Sequence, residues 1–164
     1  MNALWSYFWP VFAAGLVIGA IAGSIAFRRK RNLALVMGAA LAIAAAALWH
    51  WPLGAADRFS TRVERGASQA LDYYEMTQVT AKLHRNPLSR RLTLAGPADG
   101  FQRSELVRVL DQLPGVSSVS WSAGGEGLPL IAEAALLAFV GFLVGLVLAY
   151  LVELRRRYNA QWKW

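Results

Sequence analysis

Three long stretches of this chain carry almost no charge, and every other inference follows from them. No Asp, Glu, Lys, Arg or His occurs up to Phe27, and between Asn32 and Trp51 only His50 breaks the pattern. A third apolar run extends from Leu128 to Val152 and is interrupted by Glu133 alone. Each approaches or exceeds the roughly 20 residues that a helix needs to cross the hydrocarbon core. The pattern predicts three membrane spans: Trp5 or Pro10 to Phe27, Leu33 to about Leu53, and 128–153. Arg28, Arg29, Lys30 and Arg31 separate the first two, so residues 5–53 read as a transmembrane hairpin closed by a basic turn at 28–32.

Between these runs, residues 55–122 have a different rhythm. Phe59, Val63, Gly66 or Ala67, Ala70, Leu71 and Tyr74 recur at the three-and-four spacing of an amphipathic helix. Val79, Ala81 and Leu83 alternate with Thr80, Lys82 and His84, which predicts a strand. After Asn86-Pro87, Leu88, Leu92 and Leu94 alternate with Ser89, Arg91 and Thr93 in a second strand ending at Gly96-Pro97. Asp99 with Gln102 three residues on is a capping-box pattern, and Leu106, Val107, Leu110 and Leu113 form the stripe of the helix it opens. A last short strand is expected from Val116 to Trp121. The order helix, strand, strand, helix, strand predicts a small α+β domain, with both helices covering one face of a three-stranded sheet. Residues 123–127, rich in glycine, read as a tether into the third span, and 154–164 as a basic, aromatic tail.

Charge orients this arrangement. The net charge of +7 would point to nucleic acid if its cations shared one soluble face, but nine of the 17 lie between Arg58 and Arg108, where the eight acids between Asp57 and Glu126 nearly cancel them. The excess sits instead beside the apolar runs, at Arg28, Arg29, Lys30, Arg31, Arg155, Arg156, Arg157 and Lys163. Short loops and tails rich in Lys and Arg stay cytoplasmic. Three spans put both clusters on that side, with the amino terminus and the middle domain in the periplasm of a bacterial-type inner membrane. The chain has no cysteine, which excludes disulfides, thiolate catalysis and cysteine metal sites. Cations follow the first run instead of preceding it, so that run is expected to be a retained span with Met1 at or near the mature start.

Residues Arg91–Gly96 (RLTLAG), the short helix after them, and Leu113–Val119 (LPGVSSV) together resemble the BON domain, a bacterial envelope module that also accompanies OmpA-like domains. The likeness covers about residues 79–121, and Gly96 and Gly115 match the turn glycines of that family. The resemblance implies an envelope location and a role in binding lipid, peptidoglycan or protein.

Candidate residues fall into a few groups. Gly15, Gly19 and Gly23 share one helix face, as do Gly141 and Gly145, and such rows let helix backbones approach closely in lipid. The alanines of the second span suit packing against the first row, and the third span offers it a paired glycine face. Trp5, Trp9, Trp49, Trp51, Trp162 and Trp164 cluster at span ends with Tyr7 and Phe8, as interfacial aromatics do. His50 has the chemistry of a cofactor ligand, but its place at the end of a run reads as an interfacial polar residue. His84 reads as a surface residue. Glu133, one turn into the third span, is the candidate functional acid, either a helix-start and docking contact or an ion relay. No nucleophile–base set, metal-ligand spacing or phosphate-binding glycine loop occurs, and no cofactor is expected. The expected function is that of a non-enzymatic, multi-pass scaffold or accessory subunit. Its expected partners are membrane lipids and other membrane or periplasmic proteins, not nucleic acid. The alternative is a small transporter or ion-conducting component that uses Glu133.

Overall fold

The computed structural model describes residues 2–29, 32–121 and 127–161, with the side chains of Arg29 and Gln161 left out. It contains α1 (Ala3–Arg29), α2 (Asn32–His50), α3 (Ala55–Tyr73), β1 (Thr80–Arg85), β2 (Leu88–Ala95), α4 (Gly100–Leu110), β3 (Ser118–Ser120) and α5 (Leu130–Gln161). Lys30, Arg31, most of the 123–127 tether, Trp162, Lys163 and Trp164 lie outside the described residues. The chain divides into two units. One is built from Gly54–Ala132 with the first residues of α1 up to Tyr7, and the other from Phe8–Leu53 with the chain from Glu133 onward.

The second unit is helical. α1, α2 and α5 are long and apolar enough to cross a membrane. At 1.5 Å per residue they are about 40, 28 and 48 Å long, against roughly 30 Å of hydrocarbon. α1 begins at Ala3, before the expected Trp5 or Pro10, and two further ends differ more from the sequence expectation. α2 ends at His50, because Trp51 precedes Pro52 and is biased away from helical backbone. The Trp51 amide donates to the Ala47 carbonyl and the Leu53 amide to the Leu48 carbonyl, closing the last turn. α5 continues well past 153, carrying Arg155–Arg157 on regular helix.

The first unit is the α+β domain. β2 is central, antiparallel to β1 and parallel to β3. Ala81 pairs with Leu94 and Leu83 with Leu92, so the inward positions of both strands fall on one side of the sheet. Phe59, Val63, Ala67 and Leu71 of α3, which packs on β1, and Leu106 and Leu110 of α4, which packs beside β3, are buried as well. Asp99 caps α4 reciprocally: its carboxylate accepts from the Gln102 amide at 2.7 Å, and the Gln102 side chain accepts from the Asp99 amide at 3.0 Å. Gly96 and Gly115 adopt φ of 139° and 110°. These are conformations that a Cβ disfavours, and a Cβ on Gly96 would also lie 2.5 Å from the Gln78 carbonyl oxygen.

Three expectations are corrected here. Tyr74 leaves the α3 stripe because it is the C-cap and is exposed. Ser89 is buried instead of facing outward, because the β1–β2 register shifts between Leu83 and Arg85 and Pro129 bridges to Ser89 on its other side. Tyr7 is 2% exposed and lies 5.4 Å from the Phe59 ring within the α+β unit, so it is a core residue instead of an interfacial one.

Candidate functional site

In the helical unit the glycines decide how close the helices come. The backbone of α1 at Gly15 and Gly19 meets that of α5 at Ala138 and Phe142, and Gly141 and Gly145 reciprocate against Phe12 and Leu16. A Cβ on Gly145 would lie 2.6 Å from the Ala20 nitrogen, nearer than real side chains come. All four glycines are therefore engaged within one chain. Gly23 faces Ala149 and Leu146 of the same helix pair.

α2 uses a different face of α1 from the one expected. It buries Gly38, Ala42, Ala46 and His50 at four-residue intervals. Gly38 abuts Ala22 and the Phe142 ring, not the Gly15 and Gly19 positions, which α5 already occupies. Ala22, Ala42 and Phe142 form the shared core of the three helices, bordered by Ile18, Ala39 and Leu146.

The basic ends of α1 and α5 meet around an acid that the sequence reading passed over. Glu153 receives the Arg157 Nε at 3.1 Å through one oxygen and faces the Arg28 Nε at 3.8 Å through the other. Its side chain is 16% exposed. Arg157 also donates to the Phe27 carbonyl at 3.4 Å, where α1 has run out of amide donors, and the Phe27 and Tyr150 rings meet edge-on at 5.7 Å. The available signal was local: Arg157 stands four residues after Glu153, the spacing of a helical ion pair.

This clasp divides the cations. Arg28 and Arg157 are engaged with Glu153, whereas Arg155 and Arg156 are exposed and have no partner among the described residues. With Val152, Asn159 and Ala160 they line an open groove of about 580 Å³.

The other candidates are dispersed. Glu133 is half-buried in the first turn of α5, where a carboxylate suits the positive end of the helix dipole. His50 is buried with its ring 5.3 Å from Trp51, edge to face. His84 pairs through Nε2 with the Asn86 carbonyl at 2.9 Å. Trp5, Trp9 and Trp51 are exposed, Trp9 stacking on Phe12, and Trp49 is half-buried. Among the described residues no three His, Cys, Asp or Glu side chains converge to hold a metal.

In the α+β unit, Glu64 of α3 accepts the Leu83 amide of edge strand β1 at 3.0 Å and the Arg85 guanidinium at 2.9 Å. Arg103 lies over the Trp121 ring at 5.2 Å. Searches with the whole chain found no matching family model, no matching curated protein and no matching solved structure.

Proposed function

We propose that the chain is a non-enzymatic, multi-pass inner-membrane scaffold or accessory subunit that displays a BON-like α+β module in the periplasm. The observation that carries this reading is the α1–α5 seam. Backbones in contact at Gly15, Gly19, Gly141 and Gly145 leave no room for water between those helices, which suits a platform better than a conduit. The unit of Gly54–Ala132 has its own sheet and buried core, as a displayed module requires. Within residues 79–121, β2 running to Ala95, then α4 and β3, follow the order that the BON likeness implies. We assign the basic ends of α1 and α5 to the cytoplasm by the positive-inside rule, and hence the module to the opposite side.

The test is purification of the tagged full chain in mild detergent. One integral-membrane or envelope protein recovered in fixed stoichiometry, and lost when residues 55–122 are replaced by an unrelated domain, is the expected result. A chain recovered alone, whose vesicles show pH-dependent ion flux abolished by Glu133→Gln, would overturn it.

A further inference from the structure

We propose that the exposed face of α5 formed by Val152, Arg155, Arg156 and Asn159 is a binding site for the phosphate headgroup of an anionic glycerophospholipid. The proposal rests on the reading that α5 crosses a bilayer. These residues stand at i, i+3, i+4 and i+7, so they share one side of the helix, and with Ala160 they line the open groove described above.

Three features select the ligand. Arg155 and Arg156 are exposed cations without partners among the described residues, while the nearby acid, Glu153, turns its two oxygens to Arg28 and Arg157. The groove therefore keeps a charge of two. A guanidinium presents paired N–H groups matched to phosphate oxygens, and two adjacent forks with the Asn159 amide suit one phosphodiester and a glycerol hydroxyl.

The second feature is polarity along the helix. Val152 ends the apolar stretch and is exposed, and the cations begin three residues later. A ligand that joins acyl chains to a phosphate matches that step, whereas a free phosphate matches only half of it.

The third is depth. If the span begins at Leu130, about 20 residues of α5 fill the hydrocarbon, and Arg155 emerges roughly 7 Å beyond it, within the headgroup layer.

The experiment uses the purified full chain in nanodiscs and native mass spectrometry, with dioleoyl-phosphatidylglycerol and dioleoyl-phosphatidylcholine as competing lipids. The wild type is expected to retain the anionic lipid preferentially. R155Q/R156Q should bind it about thirtyfold more weakly, the effect of two surface cations, while R65Q/R108Q, with the same charge loss elsewhere, should change it by less than about twofold. Equal retention by the wild type and R155Q/R156Q would overturn the site. Displacement of the lipid by equimolar inorganic phosphate or glycerol 3-phosphate would overturn the lipid as its source. Failure of the wild-type chain to enter nanodiscs would be a separate result, sinking the membrane reading and the site with it.

Discussion

Replacing Gly145 by alanine tests the seam on which the helical unit is built. The added methyl would sit 2.6 Å from the Ala20 nitrogen and 3.0 Å from the Gly19 carbonyl carbon, against backbone that has no rotamer to change. α1 and α5 must separate by about 1 Å to restore ordinary contact, and a gap of that size forfeits a quarter to a half of the dispersion well for each facing atom pair. Overpacking of this kind costs about 1–3 kcal/mol. The substitution also removes the flexibility of a mid-helix glycine, which returns about 0.5–1 kcal/mol. Because the clash is with backbone, the upper half of the overpacking range applies, and the net expectation is a loss of about 1–2.5 kcal/mol. Gly66→Ala provides the contrast: nothing lies within 4 Å of its added Cβ. Only the helix-propensity gain remains there, so the sign reverses to a stabilisation of about 0.5–1 kcal/mol. Gly19→Ala with Gly145→Ala should cost less than the two singles combined, because one separation relieves both. Unfolding of the full chain by SDS titration from mild-detergent micelles measures all four. A Gly145→Ala protein as stable as wild type, or a double variant with additive losses, would refute the close-packed seam.

Other consequences are checked more briefly. Asp99→Ala removes a reciprocal cap and should lower the stability of the α+β unit by about 1 kcal/mol, or about 4–8 °C in its thermal midpoint, with hydrogen exchange rising first in the opening turn of α4. Leu92→Ala, at a fully buried position on the central strand, should cost about 2–5 kcal/mol by denaturant titration of the same unit. Glu153→Gln leaves Arg28 and Arg157 without their shared anion. Because the site is partly solvated, the expected loss is only about 1 kcal/mol, shrinking as salt is raised from 0.05 to about 1 M.

Periodicity made most of the elements readable. Phe59, Val63, Ala67 and Leu71 repeat every four residues because one side of α3 is buried, and the Asp99–Gln102 cap is encoded within four residues. Charge-free length made α1, α2 and α5 equally plain. The span ends were less so, since apolar composition reports what suits hydrocarbon and not where a helix stops. α5 continues through Arg155–Arg157 because arginine is a good helix former and extending an existing helix needs no new nucleus.

The misreadings of Ser89 and Tyr7 share one cause: each depends on a partner supplied by distant chain. Alternation puts Ser89 outward, and only the register shift and the Pro129 bridge bury it. Tyr7 belongs by composition to an aromatic belt, and Phe59 makes it core. The two acids of the third apolar region make the same point. Glu133 draws attention in the sequence because it interrupts the run, whereas Glu153 lies just past the run's end among arginines and looks like ordinary surface charge. In the fold, Glu153 holds a cation from each of two helices and a place beside the Phe27 carbonyl. By engaging Arg28 and Arg157 it also determines which arginines stay available, so the charge of the Arg155–Arg156 groove is a property of the α1–α5 contact and not of the basic tail alone.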